Sequence, residues 1–205
     1  MITMLCWSRT NSLYDLAMLI GFVATASATN SQYPSAISVP VRTNWHGLDG
    51  IWSPVSLRLG TSPQWVDLFV STAGQETLVV GAAGCDVNDT KCPTARGGLF
   101  DSKASNTWNN QGAYDLGLDT QLGFDGAGVY GLDSIAFNDQ ISVPSQMIAV
   151  INTTDYFVGF FGLGVQRTNF TSADQPTFLD SMVENKSLIP SHSYGYTAGA
   201  HYRKS

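Results

Sequence analysis

The sequence is short of charge. Asp, Glu, Lys and Arg make up 13% of its 205 residues, and 10 basic residues stand against 16 acidic ones, for a net charge of -6. A nucleic-acid surface needs clustered Lys and Arg to neutralise phosphates, so scattered cations exclude that class and, with it, anionic membrane surfaces. Histidine is scarcer: His46, His192 and His201 are too far apart in the chain to make a recognisable metal spacing. Cysteine is nearly absent, at three residues. There are no internal repeats and no linker, and beyond residue 28 no apolar run is long enough to span a bilayer.

What is present points to export. Arg9 precedes the apolar stretch LAMLIGFVATASA, residues 16–28, which ends in small residues. That run is too short for a transmembrane helix and closes on an A-x-A-like site, so residues 1–28 read as a signal peptide cut near Ala26 or Ala28. Cys6 would leave with it. Cys85 and Cys92 remain, an even pair in an oxidising compartment, and are expected to close one small disulfide loop around DVNDTK. Asn88, Asn152, Asn169 and Asn185 each begin an N-x-S/T acceptor pattern, which requires a surface position. The expected destination is extracellular, with the cell wall or vacuole also open.

Glycine is abundant, at 20 residues, and hydrophobic residues make up 43%. That balance suits an ordered domain rich in strands and turns. Residues 29–50, with Pro34 and Pro40, read as an extended arm or pro-segment remnant. In SPVSLRLG, residues 53–60, Val55, Leu57 and Leu59 alternate with Ser56 and Arg58, the period of a half-buried strand. WVDLFV, 65–70, makes a hairpin with it, and ETLVVGA, 76–82, is a third strand. Phe100 and Trp108 read as local core plugs. Residues 114–139 read as a long hairpin. Residues 141–152 read as a strand in which Pro144 demands an edge or bulge near the start. YFVGFFGLG, 156–164, reads as a buried strand ending in a tight turn. Residues 175–188 give the one helix, with Phe178, Leu179, Met182 and Val183 on one face. The tail, with Tyr194 and Tyr196 in step, returns to strand character.

The order of these pieces resembles the N-terminal lobe of pepsin-like aspartic peptidases of the secreted fungal type. SLRLGTSPQ (56–64) is similar to the family's first hairpin, and LFVSTAGQETLVV (68–80) to the strand, catalytic loop and strand that follow. The Cys85–Cys92 pair stands where many members have a small disulfide. VYGLDSIAF (129–137) is similar to the strand beyond the flap, FVGFFGLG (157–164) to the segment behind the catalytic loop, and PTFLDSMVENKSLIPSHSYGYTAGA (176–200) to the helix and strand after it. The likeness covers about residues 50–202. It implies a mainly β fold: a single acid-peptidase-like lobe, half of a bilobal closed β-barrel architecture, over residues 51–205, with one short helix and no second lobe. It implies no cofactor and no metal.

Active members draw one Asp from each lobe, in Asp-Thr-Gly or Asp-Ser-Gly loops. This sequence contains neither tripeptide. Ser71 stands at the Asp position, followed by Thr72 and by Ala73 in place of glycine. The flap region, Gln121, Leu122 and Gly123, lacks the family's tyrosine, and Leu78 replaces the tryptophan that often supports it. A neutral hydroxyl can hold a water but cannot accept its proton near neutral pH. Asp67 lies on the preceding strand without a Thr-Gly context, and pairing two copies of the lobe would bring together two serines. A serine nucleophile would need His46, His192 or His201 within reach, and no G-x-S-x-G elbow surrounds Ser71.

The resulting expectation is an aspartic endopeptidase homologue that is catalytically inactive, either a fragment of a bilobed relative or a degenerate member keeping part of a peptide-binding groove. Its partners would be a peptide or protein, a missing C-terminal lobe, or a second copy through the exposed lobe face. The rival is a secreted carbohydrate- or protein-binding β module, in which Trp45, Trp52, Trp65 and Trp108 would stack on sugars; core packing is expected for most of them. Asp115, Asp119, Asp125, Asp133 and Asp139 lack the compact spacing of a calcium loop and are expected on a solvated face.

Overall fold

The alternation of Val55, Leu57 and Leu59 becomes strand β1 (Val55–Leu59), with all three side chains buried. It pairs antiparallel with β2 (Gln64–Ser71) in the register Val55↔Leu68 to Leu59↔Gln64. The fold is taken from a computed structural model, which describes residues 36–47, 51–116, 126–154, 156–170, 173–185 and 188–198. The remaining strands of the main sheet are β3 (Thr77–Val80), β4 (Asn109–Asp115), β5 (Ala127–Ala136), β6 (Ser142–Ile151) and β7 (Phe160–Gly162). A small separate ribbon joins β8 (Thr168–Phe170) to β9 (Ala173–Gln175).

The sheet closes on itself. Its order is β1-β2-β7-β3-β6-β5, and β5 returns to β1 through Arg58↔Ala136 and Leu59↔Ile135. This is a closed, six-stranded mixed barrel, mainly β, consistent with a single pepsin-like lobe. β4 lies outside the ring against the far part of β5, forming the expected long hairpin, which begins at Asn109 rather than at Tyr114. Closure abolishes the free edges of the ring strands. The interior is filled by Leu57, Leu59, Val66, Leu68, Val79, Ile135, Val143 and Ile148, with Phe100 beneath Trp108 at a centroid distance of 5.6 Å.

Pro144 acts as the sequence requires. The β5–β6 register slips between Asp133↔Gln146 and Ile135↔Val143, and Ser145 takes a left-handed φ of 55°. The bulge at Pro144 and Ser145 absorbs the missing N–H. The helical segment also forms where expected. Thr177 caps α2 (Phe178–Asp180) in a reciprocal capping box with Asp180, and the chain continues through a wider π turn, Ser181–Asn185. Phe178, Leu179 and Met182 are buried against the barrel. A single-turn helix, α1 (Cys92–Ala95), lies in the disulfide loop.

The tail and the tryptophans depart from expectation. Residues 191–198 are irregular rather than strand, and Tyr194 and Tyr196 are exposed. Trp52 and Trp65 are exposed rather than core, at 56% and 55%. Trp65 falls on the outer face because Val66 and Leu68 take the inner one. His46 pairs with Trp52 in a β bridge, and its side chain is 9% exposed.

Candidate functional site

Strand β2 ends at Ser71, and the chain then turns through Thr72, Ala73 and Gly74. The turn is built by two sets of hydrogen bonds. The Gly74 N–H donates to Ser71 Oγ at 3.0 Å. The Leu163 N–H donates to the Ser71 carbonyl at 2.8 Å, and the Gly164 N–H to the Gly74 carbonyl at 2.9 Å. The loop is thus cross-braced by the segment that follows β7. Glycine is required there: a Cβ on Gly164 would lie 2.9 Å from the Gly74 carbonyl oxygen, and one on Gly162 only 2.4 Å from that of Glu76. Ser71 is half-buried, while Thr72 and Ala73 are exposed.

The hydroxyl of Ser71 therefore serves its own turn as an acceptor. Among the described residues no histidine reaches it. His46 Nε2 lies 3.2 Å from Asp67 Oδ2, and its Nδ1 lies 3.2 Å from the Ala95 carbonyl. His192 Nε2 lies 2.8 Å from Asp180 Oδ1. Asp67, the alternative carboxylate, sits in mid-strand opposite Ser56, four residues or roughly 13 Å along β2 from Ser71. Its Oδ1 accepts from Ser56 Oγ at 2.6 Å. It does not belong to the loop.

The carboxylate nearest in sequence to the turn is Glu76, which accepts from the Tyr130 hydroxyl at 3.2 Å. Burial, then the charge and hydrogen bond of Glu76, push the Tyr130 phenol well above its ordinary range, so it stays a neutral donor. Sequence reasoning missed this pair, because the partners lie 54 residues apart and meet only through strand pairing.

Arg96 was missed as well. Its side chain is almost fully buried and donates to four backbone carbonyls: Phe157 at 3.0 Å, Thr153 at 2.8 Å, Gly84 and Tyr156. Burial holds its guanidinium below the ordinary arginine range. It ties the disulfide loop to the segment leading into β7, and so to the brace behind Ser71. Cys85 and Cys92 are bonded, with Cα atoms 5.8 Å apart.

The flap residues Gln121, Leu122 and Gly123 lie outside the described residues, as do His201, Asp119, Asp125 and the segment 1–28. Asn88 and Asn152 are exposed. Asn169 falls in the middle of β8 and Asn185 at the end of the π turn. Asp115 and Asp139 are exposed and Asp139 pairs with Arg58. Asp133, expected on the solvated face, is instead 1% exposed, and accepts from Thr107 and from the Ser134 N–H. Both bonds go to Oδ1, while Oδ2 is buried without a hydrogen-bond partner.

No family model matches the chain. Over 111 residues it is 29% identical to a Candida albicans protein named secreted aspartic protease 7, a match covering 53% of this chain and 19% of the relative. A second Candida albicans sequence of the same name is 28% identical over 111 residues, with the same coverage. The match thus spans about a fifth of the length of these relatives. Together with the closed β lobe, it supports a relationship to pepsin-like aspartic proteases. Among the described residues, no helix is long and apolar enough to cross a membrane.

Proposed function

We propose that this chain is a secreted, non-catalytic relative of aspartic proteases, in which a proteolytic loop has become a structural turn. The observation that carries the reading is Ser71, at the end of β2, where the resemblance places the catalytic aspartate. Peptide hydrolysis by that route needs two carboxylates about 3 Å apart that share one proton, one side activating water while the other protonates the scissile carbonyl. A serine hydroxyl cannot take the proton of water near neutral pH. The Ser71 oxygen already accepts from the Gly74 N–H, and the described histidines are engaged elsewhere. The lobe keeps the scaffold that aims the loop, including the braces from Leu163 and Gly164, without the group that performs the chemistry.

An opening of about 330 Å³ lies beside this turn, lined by Val70, Phe161, Leu163, Phe178, Met182 and Tyr194 among others. Its apolar walls suit a peptide or protein partner, a second lobe or a second copy.

Purified protein incubated with a denatured protein substrate at acid pH is expected to show no pepstatin-sensitive cleavage. Robust pepstatin-inhibited turnover would refute the reading. Ser71→Asp in a two-lobed context is expected to gain acid protease activity.

Export is the second part of the proposal, supported by the signal-like segment 16–28 and the exposed acceptors Asn88 and Asn152. N-terminal sequencing of protein recovered from the medium is expected to begin just after Ala26 or Ala28. Retention of Met1 in the mature protein would contradict it.

A further inference from the structure

We propose that the cleft between the N-terminal arm and the β1–β2 hairpin binds a neutral oligosaccharide, with Trp65 as the stacking platform. This site is separate from the Ser71 turn and stands whether or not that turn is catalytic.

The arm crosses the hairpin through a Val41↔Val55 bridge, a hydrogen bond from the Arg42 N–H to the Pro54 carbonyl at 2.8 Å, and reciprocal backbone bonds between His46 and Trp52. Between arm and hairpin it leaves an open cleft of about 510 Å³, to which Arg42, Asn44, Trp45, Trp65, Asp67 and Gly98 contribute.

The floor is fixed and its charge is internally balanced. Asp67, only 13% exposed, accepts from Ser56 at 2.6 Å, faces His46 at 3.2 Å, and has Arg42 Nε 3.7 Å away. Both ring nitrogens of His46 face acceptors, a carboxylate and the Ala95 carbonyl. The carboxylate is therefore already partnered, and the floor makes no demand for a charged ligand.

The wall supplies an aromatic plane. Trp65 points away from the barrel interior and is 55% exposed, with the Arg58 guanidinium 5.5 Å from its ring centroid. The adjoining wall is bare backbone. Gly97 and Gly98 take positive φ of 77° and 98°, and a Cβ on either would come within 2.6 Å of a β2 carbonyl oxygen. Only glycine lets this segment lie so close against β2. At the rim, Asn44 is exposed and the Arg42 side chain is 50% exposed, both planar hydrogen-bonding groups.

A pyranose has a flat C–H face and a rim of hydroxyls, so it needs an aromatic plane beside planar donors and acceptors, which is what this cleft offers. An extended peptide would draw affinity from an unpaired strand edge. Along the cleft, β2 is paired with β1 on one side, and on the other its Asp67 N–H is already taken by the Gly97 carbonyl at 2.6 Å. The net charge of -6 and the balanced floor disfavour a polyanion.

The test is calorimetric titration of the purified protein with neutral β-1,3-glucan, N-acetylglucosamine and mannose oligosaccharides. Saturable binding of at least one is expected, weakened about tenfold or more by Trp65→Ala. Asn44→Ala, on the exposed arm, is expected to weaken it too and guards against loss of fold in the first variant. Binding of none of the three, or binding undiminished in both variants, overturns the proposal. So does tighter binding of a denatured peptide in the same cleft, read as a loss on Trp65→Ala. None of these outcomes depends on the pepstatin result.

Discussion

At the scale of single residues, the chain, on the proposed reading, keeps the parts of a site that position and lacks the part that reacts. Ser71 stands where the resemblance would place a group whose value lies in a shared proton, and its hydroxyl closes the turn by accepting from the Gly74 N–H. The residue that does most to hold the surroundings is Arg96. It donates to four backbone carbonyls, and no carboxylate is among these bonds. Arg96→Ala would strand those buried acceptors, and urea denaturation is expected to show a loss of at least about 3 kcal/mol. Arg96→Lys should recover only part of it, because an ammonium has three donors and no planar fork.

At the scale of elements, the decisive piece is β7. It inserts between β2 and β3, parallel to one and antiparallel to the other, and so separates the two strands that flank the Ser71 turn. Room for it comes from glycine. A Cβ on Gly159 would lie 2.2 Å from the Leu78 carbonyl oxygen, and one on Gly162 2.4 Å from that of Glu76. Backbone cannot yield as a flexible side chain can. Gly162→Ala is therefore expected to destabilise the lobe by more than about 2 kcal/mol in thermal unfolding. Gly195→Ala is the control: a Cβ there meets nothing within 4 Å, and its effect should stay within about 0.5 kcal/mol.

At the scale of the whole molecule, stability is tied to acid conditions through Asp180. Burial alone would raise this carboxyl. Hydrogen bonds from Thr177, the Arg167 charge and the His192 contact outweigh it and hold the group below its ordinary value. A carboxylate depressed in the folded state stabilises above its unfolded pKa, near 4, and that stability is lost as pH falls through the folded value. Unfolding free energy measured across that acid range should therefore decline as pH falls. In Asp180→Asn the decline should be shallower, by less than one proton. An unchanged slope would show that other carboxylates set the acid limb. Arg167 also pairs with Glu184 and Asp174, so the helical segment and the β8–β9 ribbon share this dependence.

The sequence by itself determined the strands β1, β2, β3 and β6, the Pro144 bulge, the helical segment at Phe178–Asn185 and the Cys85–Cys92 bond, because each follows from local periodicity, a missing N–H or a short loop. It also determined that no Asp-Thr-Gly is present. Only the tertiary structure decided where β7 goes, which face Trp65 takes, that Asp133 is buried among hydroxyls, and that His46, Asp67 and Arg42 meet beneath one cleft. Those outcomes depend on closing the barrel. Closure brings together side chains dozens of positions apart, and the parity of β2 assigns Val66 and Leu68 to the inside and Trp65 to the outside. Local pattern carries the period of a strand but not the identity of the strand beside it, and at these sites the neighbour sets the chemistry.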